Sequence, residues 1–270
     1  MVGGPVSVGE SDVRICQLAS GSKGNSLYIE SEKTRILIDA GLSALQISRR
    51  LEQIGVDADS LDAVFVTHEH SDHCRGLGPL SRRHKLPIFF HPDTHAAIVK
   101  LGKVEERFFD IGETVVFQDV LIQPFPITHD AAAPVGFVVD TCDGKIGVAT
   151  DMGIATRLVQ QSLQQCRVLV LETNHDEEML RDGPYPWPLK QRIRSHHGHL
   201  SNADGAQLLQ QVLWDGLDAV FLAHLSETNN TPQLAQQSVS RVLSAQNHCQ
   251  PQMITGAPHV VSCCFDSTMV

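Results

Sequence analysis

The run Val64-Phe65-Val66-Thr67-His68-Glu69-His70-Ser71-Asp72-His73 constrains this chain more than any other segment. A hydrophobic strand ends there, and four potential metal ligands follow within six residues. Imidazole suits zinc, manganese or iron, and a carboxylate adds a hard oxygen ligand. A loop at a strand end can aim alternate residues at two neighbouring points, so His68 and His70 can share one ion while Asp72 and His73 reach a second. Two or three nearby histidines arise by chance in polar loops. The full H-x-H-x-D-H string at the end of an apolar strand rarely does.

The remaining pattern predicts where that loop sits. Residues 13–18, 26–30 and 35–38 read as short strands between Gly, Ser or charged turns, and 61–67 reads as a buried strand. Residues 42–54 carry apolar side chains at near-helical spacing and stop at Gly55. Helices are predicted at 76–84 and 92–101, around a strand at 87–91. The second half repeats the scheme, with strands at 120–128, 135–141, 145–150, 168–172 and 219–223 and helices at 155–165, 203–214 and 233–245. Mixed strands with outer helices predict an α/β fold, an αββα sandwich of two mixed β-sheets flanked by helices. No composition break divides the halves, so 13–270 reads as a single hydrolase domain, preceded by a Gly-, Ser- and Val-rich flexible leader at 1–12.

Two ions need more ligands, and His129, Asp151 and His224 each follow an apolar strand. Together with Asp39, after the third strand, they complete a pattern that resembles the metallo-β-lactamase superfamily over roughly residues 13–254. The resemblance implies that His68, His70 and His129 hold one metal, that Asp72, His73 and His224 hold the other, and that Asp151 bridges them with a hydroxide. Asp39 would then fix the tautomer of a ligand histidine. Asp151 stands where zinc β-lactamases commonly place a cysteine, which points to the glyoxalase II and nuclease branches. Cys74 follows His73 directly but is better read as a small buried thiol, because the motif position is already filled.

Further strings narrow the branch. S-G-S-K-G-N-S at 20–26 can form a backbone anion nest with Ser22, Lys23 and Asn25. T-N-H-D at 173–176 contributes Asn174 and His175, and G-P-Y-P-W-P-L-K-Q-R-I-R contributes Tyr185, Trp187, Lys190, Arg192 and Arg194. Basic groups hold phosphates and aromatics stack on bases. With G-H-L-S-N at 198–202 and H-L-S-E-T-N-N at 224–230, the chain resembles the YycJ/WalJ-type phosphodiesterases and exonucleases. The G-H-L-S-N string also resembles a tRNase Z segment, which implies that His199 donates a proton or binds phosphate. Ser201 is a good helix N-cap with Asp204 three residues on.

These readings predict two divalent transition-metal ions, zinc or manganese with iron as an option, and a DNA or other phosphodiester substrate. Asp72 and His199 are the expected catalytic residues. The rival is a small-molecule hydrolase acting on a thioester, lactone or β-lactam. A formal net charge of −10 gives no general attraction to nucleic acid, so binding must rest on the local patch or on a homodimer partner. Seven scattered cysteines without a C-x-x-C argue for a reducing compartment, and the absence of a long apolar run predicts a cytoplasmic protein with no membrane contact. Cys263-Cys264 reads as an ordinary pair near a frayed end.

Overall fold

A computed structural model describes residues 13–269; the leader expected at 1–12 lies outside the described residues. The chain runs β1 (Arg14–Ala19), β2 (Ser26–Glu30), β3 (Arg35–Ile38), α1 (Ala44–Gln53), β4 (Ala63–Phe65), α2 (Ser71–Cys74), α3 (Leu77–His84), β5 (Pro87–Phe90), α4 (Pro92–Ala97) and β6 (Glu105–Phe108). It continues through β7 (Val115–Phe117), β8 (Val120–Pro126), β9 (Val135–Thr141), β10 (Gly144–Ala149), α5 (Arg157–Ser162) and β11 (Cys166–Glu172). The last part holds α6 (Glu177–Asp182), α7 (Trp187–Ile193), α8 (Asn202–Val212), β12 (Ala219–Ala223), α9 (Pro232–Ser244), β13 (Gln252–Thr255) and β14 (Phe265–Asp266).

The strands form two seven-stranded sheets, ordered β14-β1-β2-β3-β4-β5-β6 and β13-β12-β11-β10-β9-β8-β7. Each mixes parallel and antiparallel pairs, as the αββα expectation requires: β3, β4, β5 and β6 are parallel in one, and β10, β11, β12 and β13 in the other. Period-2 alternation sorts the side chains. Ile15, Ile29, Ile36 and Phe65 face Ile122, Phe137, Val148, Val170 and Phe221 in a core between the sheets. The opposite faces are covered separately. Leu18, Tyr28, Leu37 and Val64 pack with Ile47 and Leu51 of α1, and Leu169, Leu171 and Leu222 pack with Val159, Leu209 and Val239 of the other helices.

Local chemistry sets the helix ends more tightly than the apolar spacing does. Ser43 caps α1 in a capping box with Gln46, so this helix starts after Leu42. Thr156 caps α5 through Val159 N, and the helix spans only Arg157–Ser162 rather than the expected 155–165. The helix expected at 92–101 ends at Ala97, because Ile98 is extended. Ser201 and Asp204 form the anticipated capping box at the start of α8. Strands β6, β7, β13 and β14 were outside the sequence expectation. They are short, and β6 is exposed along its whole length, so no buried face writes an alternating pattern. The expected frayed pair Cys263-Cys264 instead leads directly into β14, which pairs with β1.

Phe137 is fully buried between the sheets and makes edge contacts with Phe65 and Phe109. Phe137→Ala is expected to lower unfolding free energy by about 3–5 kcal/mol in urea denaturation. A loss below about 1 kcal/mol would mean that this layer is not the packed centre.

Candidate metal centre

The ligand candidates converge because parallel strands from both sheets end on the same edge. Asp39 follows β3, the His68–His73 loop follows β4, Asp151 follows β10, Glu172 ends β11 and His224 follows β12. Asp39, Asp151 and His224 have positive φ of 63°, 60° and 56°. Each left-handed turn costs about 1–3 kcal/mol, a strain that persists only where the surroundings enforce it. Backbone bonds then stitch the ligand loop to its neighbours. Ala40 N donates to His73 O at 2.8 Å, Gly76 N to Ala40 O at 2.7 Å, and Asn25 N to Asp72 O at 2.7 Å. Gly41 is required at this crossing, since a Cβ there would lie 1.6 Å from Asp72 O.

Side-chain bonds assign the imidazole tautomers. Asp39 accepts from Thr67 N and Thr67 Oγ1, both at 2.8 Å, and from His73 Nδ1 at 2.7 Å. Thr67 Oγ1, having donated to Asp39, accepts from His68 Nδ1 at 2.9 Å. His129 Nδ1 donates to Gly198 O at 3.2 Å, and His224 Nδ1 to Glu172 Oε1 at 3.3 Å. Four histidines therefore have Nδ1 engaged, which makes Nε2 the atom each would offer to an ion, although Asn25 Nδ2 also lies 3.0 Å from His73 Nε2. His70 is turned the other way and points Nδ1 at its neighbours, 3.1 Å from His68 Nε2 and 3.3 Å from His129 Nε2.

Those spacings fit a metal. Bonds of about 2.0–2.1 Å in a tetrahedral arrangement hold nitrogen ligands about 3.3 Å apart. The second cluster joins Asp72 Oδ2, His73 Nε2 and His224 Nε2, with the carboxylate 3.5 and 3.6 Å from the two rings. Asp151 lies 3.4 Å from His73 Nε2 and 3.3 Å from His224 Nε2, and it also groups with His68 of the first cluster. Asp151 Oδ2 and His224 Nε2 are buried with no hydrogen-bond partner, an arrangement that makes sense for cation ligands. The donor set of buried imidazole and carboxylate thus fits divalent transition-metal ions.

The electrostatics are those of a coupled cluster in which neutral rings stand beside charged ones. Burial pushes His68 well below its ordinary value, with the charge of His73 acting in the same direction, so its ring is neutral and able to ligate. Burial raises Asp151, but His224 and His73 overcome it and hold this carboxyl well below the carboxylate range. Burial lowers His224, yet Asp151, Asp72 and Glu172 raise it to about 10.

Glu172 was not among the sequence candidates, although it meets the same criterion as Asp151, an acid at the end of an apolar strand. It is fully buried. Its Oε1 takes His199 Nδ1 at 2.7 Å as well as His224, and its Oε2 accepts Met152 N at 2.8 Å and Leu200 N at 3.4 Å. One carboxylate therefore positions a ligand candidate, the predicted acid and the residue after Asp151. Glu69, also missed, ties the ligand loop to the segment after His129 by accepting Ala132 N at 2.8 Å.

The cluster opens into a cleft of about 280 Å³. Ser22, Asn174, Tyr185, Arg192 and His199 line it, joined by Leu189 and Ile193 of α7. The other substrate candidates lie elsewhere. Lys23 pairs with Glu227 at 2.8 Å. Asn25 donates to Asp72 Oδ2 at 3.2 Å and so braces the ligand loop. His175 is buried, and burial pushes it down to about 4. Trp187 is 62% exposed and Lys190 donates to Arg181 O at 2.7 Å. Arg194 borders a separate groove with Ile154 and Asp204. Arg192 itself is paired with Asp130 at 2.5 Å, so the basic run does not form one continuous phosphate track.

Comparison with known proteins agrees with this geometry. Residues 34–225 match the family described as "Beta-lactamase superfamily domain". The chain is 38% identical over 230 residues to "Exodeoxyribonuclease YycJ" of Bacillus anthracis, covering 84% of this chain and 87% of that protein. It is 39% identical over 233 residues to "Exodeoxyribonuclease WalJ" of Streptococcus pneumoniae, with the same coverage of 84% and 87%. The solved metallo-β-lactamase fold protein YhfI of Bacillus subtilis superposes with a TM-score of 0.72 at 15% identity, covering 94% of this chain and 99% of that one, a likeness of fold. The chain is a metal-dependent hydrolase and belongs to the metallo-β-lactamase superfamily, in its YycJ/WalJ branch.

Proposed function

We propose that this protein is a dinuclear phosphodiesterase that acts as an exonuclease on DNA. The observation that supports the reading is a continuous cluster of donors in which His68, His70 and His129 form one group, Asp72, His73 and His224 another, and Asp151 joins groups with members of both, facing an imidazole held by a buried glutamate. Two relatives that match most of the chain are named exodeoxyribonucleases, which supports DNA as the substrate. Residues 13–270 would form one catalytic domain. The seven free cysteines support a reducing cytoplasm, and no helix of the described residues is long and apolar enough to cross a membrane.

His68, His70 and His129 would hold one ion, zinc or manganese, and Asp72, His73 and His224 the other. Bound there, the ions would supply a water of lowered pKa and positive charge for the phosphodiester oxygens. The chain's own groups do the rest. Asn25 holds Asp72, which orients the attacking water. Glu172 engages Nδ1 of His199 and leaves Nε2 to pass a proton to the departing 3′-oxygen. Ser22 and Arg192 line the cleft, where they can receive the phosphate, and Tyr185 offers a face for a base. A small-molecule hydrolase remains the second reading, favoured by the Arg192–Asp130 pair and by the apolar Leu189 and Ile193 at the cleft.

Metal analysis of the purified, reconstituted protein is expected to find two divalent ions per chain. Asp151→Ala should weaken retention of both, and Asp72→Ala should keep the ion on His68, His70 and His129 while hydrolysis falls by orders of magnitude. Full occupancy in Asp151→Ala would sink the shared-carboxylate assignment. His199→Ala should slow cleavage of end-labelled DNA by about 10²–10⁴-fold, with a smaller loss on a chromogenic phosphodiester whose leaving group needs no proton. Equal losses on both substrates would remove His199 as the acid.

The nuclease and small-molecule readings part on salt. Neutralising Lys190, Arg192 and Arg194 together should weaken DNA binding and flatten its dependence on salt, with Arg192 responsible for most of the change. Unchanged DNA cleavage at every salt concentration, with retained turnover of a thioester or lactone, would move the second reading ahead.

A further inference from the structure

A second group of reactive side chains lies far along the chain from the metal ligands, where the C-terminal segment meets β1. Arg14 pairs with Asp266 and Ile15 with Phe265 in antiparallel register. Cys16 follows this paired segment on β1 and Cys264 precedes it on the C-terminal strand, and just beyond them Ser262 N donates to Gln17 O at 3.0 Å. The alternation agrees: Ile15 and Phe265 point into the core between the sheets, whereas Cys16 and Cys264 share the cluster on the outer face. Adjacent antiparallel strands bring the residues that flank a pair close to the roughly 4.4–6.8 Å between Cα atoms that a disulfide spans. Both thiols are free.

Their surroundings are unequal. Cys16 is fully buried, and its Sγ donates to Ser262 O at 3.3 Å. Cys264 is partly exposed, and the Arg14 guanidinium lies 3.7 Å from its Sγ. That guanidinium is fixed in place by a 2.6 Å bond to Ile54 O at the end of α1. We propose that Cys16 and Cys264 form a redox-modification site, in which a hydroperoxide oxidises the pair to an intramolecular disulfide that staples the C-terminal strand to β1.

The chemistry balances. The Cys264 thiolate attacks the distal peroxide oxygen, the O–O bond breaks, and an alkoxide or hydroxide leaves and takes up a proton. The sulfur of the resulting sulfenic acid is then attacked by Cys16; the S–S bond forms, and hydroxide departs as water with the Cys16 proton. Two thiols lose two electrons and the hydroperoxide gains them. The neighbouring Cys16, with support from the charge of Arg14, lowers the Cys264 thiol to about 6, which favours it as the attacking sulfur. The neighbouring Cys264 and burial both hold the Cys16 thiol up, which leaves Cys264 as the sulfur that reacts first.

The test uses the full, metal-loaded chain treated with hydrogen peroxide, followed by alkylation of remaining thiols and peptide mass mapping. The expected result is a Cys16–Cys264 linked peptide pair, two hydrogens lighter than the sum of its thiols and restored by dithiothreitol. Cys263→Ser should leave the link intact, and Cys264→Ser should leave Cys16 as a free thiol. The cross-linked form should melt roughly 5–15 °C higher, since the bond closes nearly the whole chain. Arg14→Gln should slow formation of the link several-fold. Recovery of both Cys16 and Cys264 as alkylated thiols, or a link through Cys263 instead, would overturn the proposal, as would link formation at an unchanged rate in Arg14→Gln.

Discussion

The upper edge of this sandwich depends on three buried carboxylates. Asp39, Asp151 and Glu172 are each at most 3% exposed, and they stand at the ends of strands from both sheets. A buried, unpaired carboxylate costs several kcal/mol, so each must be answered by donors. Thr67 and His73 answer Asp39, two backbone amides and two imidazoles answer Glu172, and His73 with His224 answers Asp151. Acids therefore position His73, His199 and His224 directly, whereas His68 rests on the Thr67 hydroxyl that Asp39 holds and His129 on the Gly198 carbonyl.

This explains why the two sheets must pack in one register. Asp39 and the His68–His73 loop come from the first sheet, and Asp151, Glu172 and His224 come from the second. The core of Phe65, Phe137, Val148 and Phe221 fixes the distance between them. A close-packed interior transmits small displacements rather than absorbing them, so the apolar layer serves the polar edge as a rigid spacer.

Much of this was legible in the chain. The apolar strand before His68 marked both the local structure and the chemistry, and His129, Asp151 and His224 were found because each follows a similar run. The mixed-sheet sandwich followed from the alternation of strands and helices. Glu172 ends the strand expected at 168–172, but a strand-end acid with no motif around it was not taken as a candidate. Its role depends on meeting His199, 27 positions away, which spacing does not reveal. The basic string at 183–194 divides in the structure for a related reason. Sequence counts charges, whereas α7 turns Arg192 towards the cleft and Arg194 towards another groove, and Asp130 neutralises Arg192 from a different loop. The short strands β6, β7, β13 and β14 were illegible because edge strands bury too little to leave a periodic signature.

The left-handed turns at residues 39, 151 and 224 also limit how this centre could be re-engineered. Aspartate, asparagine and histidine are the non-glycine residues that accept this backbone most readily. A soft-metal variant with cysteine at position 151, or a longer carboxylate at position 39, would have to satisfy the backbone before it could satisfy an ion. Such an exchange starts with a conformational penalty on the order of 1–2 kcal/mol. The local backbone therefore narrows the ligand alphabet at these three strand ends, independently of coordination chemistry, and the freer positions for altering metal preference are those in the ordinary α and β regions, such as His70.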